Sequence, residues 1–202
     1  MANNKKHIPN PSWPFYVEKV HPYAWYEKFL SKDECKEVIR YAKSLKQSQK
    51  GKILNKGKKI LKQIRDSNVT WLAPDDNITW LYRKITDATL DLNNKYFNFD
   101  LHGISESLQF TNYKSPSGHY HKHVDNAYDF IIRKLSLSIQ LTDPESYIGG
   151  DLNLYLGENK TTMRKQQGDL IAFPSYVLHE VTPVTKGERN SLVAWVTGKQ
   201  FK

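Results

Sequence analysis

The segment Gly118-His119-Tyr120-His121-Lys122-His123-Val124-Asp125-Asn126 concentrates the groups that bind metals. On a β-strand, side chains at i and i+2 point to the same face. His119, His121, His123 and Asp125 are therefore expected on one face, where an imidazole and a carboxylate two residues apart can reach one ion. A third donor is needed to hold that ion. His179, in Val177-Leu178-His179-Glu180-Val181, opens another predicted strand and supplies it. Two imidazoles and one carboxylate on one triangular face suit non-haem Fe(II). Three protein ligands leave three octahedral positions open, two for a bidentate co-substrate and one for dioxygen. Arg189, in Lys186-Gly187-Glu188-Arg189-Asn190-Ser191, adds a planar fork that pairs bidentately with a carboxylate. If its strand lies beside that of His179, the guanidinium sits behind the metal and anchors the far carboxylate of a dicarboxylate chelator.

Each feature alone has a plainer explanation. A His-x-Asp pair is usually a surface hydrogen bond, a His-x-His-x-His run can be an accidental patch, and an Arg before a strand is usually solvated. Their weight comes from standing in one order with the right companions.

The elements that must position these groups change character near residue 103. Residues 31–47 read as a helix, with Ser31 and Glu34 as a capping box and Cys35, Val38, Ile39, Ala42 and Leu45 on one face. A second helix runs from a cap at Asp76 or Asn77 to about Lys95, with Trp80, Leu81, Ile85, Ala88 and Leu92 apolar. From Ile104 onward, the predicted strands are 105–114, 118–125, 133–142, 151–156, 161–167, 169–173, 178–185 and 190–198. Short strands at roughly ten-residue spacing suggest a sandwich or barrel. Helices that precede the strands, rather than alternate with them, argue against a parallel βαβ sheet. The chain reads as one structural domain, with a helical support over residues 1–103 and a catalytic core over 104–202.

Composition narrows the class. In 202 residues, 39% are hydrophobic and 12% aromatic, which excludes wholesale disorder. Lys and Arg number 30 against 21 Asp and Glu, a net charge of +9. Much of the excess lies in one stretch, Lys43 to Lys62, which holds no acid and reads as a solvated basic loop or arm over 43–63. Cys35 stands alone, so no intrachain disulfide and no cysteine-based zinc site can form. No run of apolar residues is long enough for a transmembrane helix, and the N-terminus reads as lacking a secretory h-region. No membrane partner is expected.

From about Gln109 to Trp195 the sequence resembles the 2-oxoglutarate- and Fe(II)-dependent dioxygenases, in particular the prolyl 4-hydroxylase branch with its bacterial and phage PKHD-type hydroxylases. The resemblance rests on Tyr113, on 120–126 with its His123-Val124-Asp125, and on 133–141. It continues through Tyr147-Ile148-Gly149-Gly150-Asp151-Leu152, Gly168-Asp169-Leu170-Ile171-Ala172-Phe173-Pro174-Ser175, His179-Glu180-Val181-Thr182-Pro183-Val184 and 187–195. It implies a mainly β fold with N-terminal helices: a double-stranded β-helix, or jelly-roll, barrel supported by helices on one face. By that resemblance His123, Asp125 and His179 bind Fe(II), and Arg189 holds the far carboxylate of 2-oxoglutarate. Tyr113 lines the co-substrate pocket, Ser191 adds a hydroxyl near Arg189, and Trp195 flanks metal and substrate. His119 and His121 are not family ligands and read as polar groups at the barrel rim.

The implied reaction is hydroxylation of a prolyl residue in a peptide or protein. It uses dioxygen and releases succinate and CO2, with ascorbate as a reductant, in the cytoplasm of a bacterium or a phage-infected host. Loops 48–63 and 126–132 are expected beside the barrel mouth. Gly149-Gly150 is expected to make a tight turn with positive φ, and Phe173 and Pro174 to close the core. Trp71, Trp80 and Tyr82 are expected in the helical support. Asp125 argues against halogenation, since the related halogenases lack this carboxylate. Three alternatives compete. A nucleic-acid-directed oxygenase would use the Lys-rich arm on phosphates, but Trp195 stands where that branch carries a second Arg. A non-catalytic basic nucleic-acid-binding module leaves the His, Asp and Arg set unexplained. A cupin-like metal isomerase gives no reason for Arg189.

Overall fold

The computed structural model describes residues 6–8, 15–17, 21–51, 63–126 and 132–199. Most of the Lys-rich segment (52–62) and of the expected loop 126–132 (127–131) lies outside the described residues. Among the described residues no helix is long and apolar enough to cross a membrane.

The architecture is two antiparallel sheets with helices on one side. Strands β1 (Lys6–Ile8) and β2 (Phe15–Val17) pair with each other. The larger sheet runs β3 (Ala24–Tyr26), β14 (Leu170–Pro174), β10 (Arg133–Gln140), β16 (Glu188–Gly198), β8 (Leu108–Lys114), β6 (Asn68–Leu72) and β4 (Gln49–Lys50). Strand β7 (Leu101–Ile104) also pairs with β16. The smaller sheet runs β13 (Asn159–Thr162), β12 (Leu152–Leu156), β15 (Leu178–Lys186), β9 (Gly118–His123) and β5 (Arg65–Asp66). Strand β11 (Ile148–Gly149) pairs with β15.

Helix α1 (Lys32–Ser44) starts as its sequence dictates. Ser31 Oγ accepts from the Glu34 N–H at 3.2 Å, and the Glu34 carboxylate accepts from the Ser31 N–H at 2.7 Å. Helix α2 (Thr79–Leu92) differs from expectation at its start, for neither Asp76 nor Asn77 caps it. Ile78 stands at the cap position without a side-chain bond, and Asp75 instead shapes the turn before it: its Oδ1 accepts from the N–H groups of Asn77 and Ile78 at 2.8 and 3.1 Å. A wider helical turn, Asn93–Phe97, extends the helix to Asn98, whose φ of 54° ends it.

Period-two alternation decides where the core lies. On β10, Leu135, Leu137 and Ile139 join Leu192, Ala194 and Val196 of β16, Leu170 and Ala172 of β14, and the helices in one apolar cluster. Burying each large side chain there contributes roughly 1.5–3 kcal/mol. The intervening residues face the smaller sheet. Ile171 and Phe173 pack there with Tyr113, Leu152, Leu154, Val177, Val181 and Val184. The same inner face carries a polar stripe, Ser136, Ser138 and Gln140, inside a fully buried strand.

In three further respects the structure differs from the sequence expectation. Before residue 103 the chain is not only helical: β3, β4, β5 and β6 add strands to both sheets. They are two to five residues long, too short to show a period. Strand β13 ends at Thr162 rather than near 167. Trp71 lies on β6 with its ring 6.1 Å from that of Trp195, rather than in the helical support. Trp80 and Tyr82 do pack there. The Gly149-Gly150 turn has φ of 81° and 64°, as its sequence suggests.

Candidate metal and co-substrate site

His123 ends β9 and His179 lies near the start of β15; the two are register partners, with ring centroids 4.1 Å apart. Asp125 follows two residues after His123. Its Oδ1 is 3.6 Å from Nε2 of His123 and its Oδ2 is 3.5 Å from Nε2 of His179. One donor atom from each of the three lies within 4.8 Å of the others, close enough to share one cation.

The surroundings aim these groups. Nδ1 of His123 lies 2.7 Å from the His121 carbonyl, and Nδ1 of His179 lies 2.9 Å from the Val177 carbonyl. A carbonyl only accepts, so each Nδ1 carries the proton and each Nε2 presents a lone pair toward the centre. Asp125 accepts from Ser136 Oγ at 2.8 Å, and Ser136 in turn contacts Ser175 Oγ at 2.9 Å. The Asp125 backbone N–H donates to the Ser175 carbonyl at 2.9 Å, and its carbonyl accepts from Arg133 at 3.3 Å. Burial, with His179 second, pushes the His123 pKa down to about 4. Burial also works to raise Asp125, but His179, His123 and the Ser136 hydroxyl hold it below the usual carboxylate range. Near neutral pH His123 is uncharged and Asp125 ionised, the protonation states that bind a divalent metal.

Sequence reading expected His119, His121, His123 and Asp125 on one face. The structure splits them into two pairs: the rings of His119 and His121 stay together, 4.6 Å apart, while His123 and Asp125 turn toward the centre. Val181 pairs with Tyr120 and His179 with His123, so three steps on β9 match two on β15. That extra residue is a β-bulge, which reverses the alternation. Tyr120 and His123 consequently stack, with ring centroids 3.5 Å apart, while His121 is exposed. His119 instead contacts the carbonyls of Ser117 and Gln63 at the edge.

Arg189, at the start of β16, is 1% exposed. Its Nε donates to Gln140 Oε1 at 3.1 Å, and its guanidinium carbon lies 5.4 Å from the Tyr113 ring centroid. Among the described residues its Nη1 has no hydrogen-bond partner. An unpartnered buried guanidinium N–H fits a group that brings a carboxylate. Tyr113 is the register partner of Arg189, and burial raises its pKa against the pull of Arg65 and Arg189. Ser191 shares the inner face and pairs with Gln140 and Thr111. Trp195 is buried opposite Ser136, with the Arg133 guanidinium stacked 3.9 Å from its ring and its own Nε1 without a hydrogen-bond partner.

Several residues of the site were not singled out from sequence. Gln140 orients Arg189, and Ser136 with Ser175 orients Asp125. Glu106 clamps Arg133 through two 2.6 Å hydrogen bonds. Buried Arg65 lies 4.4 Å over the Tyr120 ring and donates to Ser67 Oγ. The polar alternation Ser136, Ser138, Gln140 in an apolar strand was the one available signal. The others depend on contacts between distant segments.

Fold and site together define a double-stranded β-helix protein with a two-histidine, one-carboxylate centre of the non-haem iron type. Residues 108–197 match the 2OG-Fe(II) oxygenase superfamily. A PKHD-type hydroxylase of Aliarcobacter butzleri is 33% identical over 140 residues, 66% of this chain and 62% of that protein. One from Nitrosomonas europaea is 31% identical over 114 residues, 53% of this chain and 50% of that protein. The chain thus spans about half to three-fifths of the length of these relatives. Among solved structures, a Pseudomonas putida prolyl-4-hydroxylase superposes with a TM-score of 0.69 at 21% identity, covering 89% of this chain and 94% of that one. A viral collagen prolyl hydroxylase from Paramecium Bursaria Chlorella virus-1, in a 2OG complex, gives 0.67 at 24% identity, covering 89% and 97%. Residues 108–197 are thus similar to the 2OG-Fe(II) oxygenase superfamily, the relatives that match in sequence are PKHD-type hydroxylases, and the solved prolyl hydroxylases share the fold. Fe(II) and 2-oxoglutarate are the metal and co-substrate that go with that family.

Proposed function

We propose that the protein is a 2-oxoglutarate- and Fe(II)-dependent dioxygenase that hydroxylates a prolyl residue of a peptide or protein. The observation that carries this reading is the pairing of two incomplete features in one interior. Three converging metal donors stand on one side of the inner face, and a buried guanidinium with an unused N–H stands on the other.

His123, Asp125 and His179 would hold the metal, and Arg189 the far carboxylate of 2-oxoglutarate. When bound, the iron and 2-oxoglutarate supply oxidation of a C–H bond coupled to decarboxylation of the co-substrate to succinate. The chain's own residues orient and exclude water. Ser136 and Ser175 fix the Asp125 carboxylate, and the two backbone carbonyls fix the imidazole tautomers. Gln140 holds the guanidinium so that Nη1 stays available. Tyr113 and Ser191 line the co-substrate side, and Trp195, braced by Arg133, forms the wall on the substrate side.

The prolyl assignment is supported by what the relatives and structural neighbours are called: PKHD-type hydroxylase, prolyl-4-hydroxylase and collagen prolyl hydroxylase. The test is succinate formation from 2-oxoglutarate by the Fe(II)-loaded protein, with mass analysis of a proline-containing peptide panel. A gain of one oxygen on proline supports the full reading. A gain on another residue keeps the oxygenase and removes the prolyl assignment. No succinate from wild type under any condition removes both.

A further inference from the structure

A second buried polar atom near Arg189 also lacks a partner. Tyr147 follows the short helical turn Pro144–Ser146, is 4% exposed, and its hydroxyl has no hydrogen-bond partner among the described residues. The two side chains meet at Gly150. A Cβ placed there would stand 2.9 Å from Cδ of Arg189 and 3.4 Å from Cε2 of Tyr147, next to the ring carbon that bears the hydroxyl. Gly187 clears the other side, where a Cβ would lie 3.1 Å from Cα of Tyr147. Lys165 stands 4.8 Å from the Tyr147 ring centroid, but its ammonium is committed to Asp151 at 2.8 Å and to the Gly149 carbonyl at 2.7 Å.

A buried phenol O–H and a buried guanidinium N–H on side chains that meet at Gly150, each without an acceptor, are costly unless something completes both. Two donors flanking a cation call for an anion with two acceptor oxygens, which is what a carboxylate presents. We propose that Tyr147 is a further binding residue of the co-substrate pocket. Its hydroxyl donates to the same far carboxylate that Arg189 grips, so the end of the dicarboxylate sits between guanidinium and phenol. The inference rests on the reading of Arg189 given above. It adds a residue that sets which 2-oxo acid fits, because a chain lacking the far carboxylate leaves both donors unpaired.

The test uses the full chain loaded with Mn(II), which keeps the centre redox-silent. Binding of 2-oxoglutarate and of 2-oxopentanoate, which lacks the far carboxylate, is measured by calorimetry for wild type and Tyr147→Phe. Loss of one hydrogen bond to a charged group predicts about tenfold weaker 2-oxoglutarate binding, with Mn(II) affinity and 2-oxopentanoate binding unchanged. Equal 2-oxoglutarate binding by both proteins overturns the role of Tyr147 and leaves that of Arg189 standing. Equal weakening of both ligands also overturns it, since the effect would then be a general distortion. Absence of 2-oxoglutarate binding in wild type sinks the co-substrate reading itself.

Discussion

His123 and His179 face each other as register partners on β9 and β15, their rings 4.1 Å apart, although 56 positions of chain separate their numbers. The pairing depends on the bulge in β9, which turns His123 inward where simple alternation from Tyr120 would turn it out. With Asp125 bridging below them at 3.6 and 3.5 Å, the three form a centre that no single segment could build.

Removing one ligand should show this directly. His179→Ala or Asp125→Ala is expected to weaken Mn(II) binding by at least tenfold and to abolish succinate formation. Titration followed by electron paramagnetic resonance reads the metal, and a coupled assay reads the product. Turnover at the wild-type rate in either variant would refute the ligand assignment.

Ser136 offers a milder probe. Its hydroxyl, on β10 of the larger sheet, donates to Asp125 at 2.8 Å. Ser136→Ala removes a hydrogen bond to a charged group, worth about 1.5–3 kcal/mol. The metal-free variant should melt several degrees lower, and its metal affinity should fall severalfold because the carboxylate is no longer held. Ser175→Ala, one step further from Asp125, should lose less.

Stability should also depend on acid in a defined window. Burial holds His123 neutral in the folded state, with its pKa down at about 4 against 6.5 for the ordinary group. The unfolded chain therefore binds the extra proton between those values, and metal-free stability falls as pH drops from about 6.5 toward 4. The full depression is worth on the order of 3 kcal/mol. Urea denaturation across that range in the presence of a chelator measures the slope. His123→Gln should flatten it, and an unchanged slope in that variant would assign the loss to other groups.

How far these features were legible in the sequence follows from their range. The capping box at Ser31 and Glu34 is a three-residue relation, and it stands as read. The order of strands after Ile104 is written in local alternation, and it gives the two-sheet architecture. His119 and His121 share a face as alternation predicts, but His123 leaves it, because a bulge depends on the partner strand, which the sequence of β9 does not contain. The short strands β3, β5 and β6 were missed for the same reason: two to five residues acquire their conformation from the sheet they join. Arg65 and Glu106 stand in no local pattern that marks them. Only pairing across the fold places Arg65 over Tyr120 and Glu106 on Arg133.

Arg189 allows stability and function to be separated. Its guanidinium is 1% exposed, is held by Gln140 through Nε, and leaves Nη1 without a partner. A buried cation in this state contributes little to the fold and can oppose it, because its desolvation is not offset by a counter-charge. Arg189→Met keeps much of the apolar stem and removes the charge. The ligand-free variant is expected to melt at or above the wild-type temperature. It should nevertheless fail to bind 2-oxoglutarate, while Mn(II) still binds at His123, Asp125 and His179. Thermal denaturation with and without the 2-oxo acid checks both halves. Wild type should gain stability from the ligand and the variant should gain none. A variant that melts well below wild type without ligand would mean that the fold itself satisfies the guanidinium, and its assignment as a carboxylate anchor would lose its physical basis.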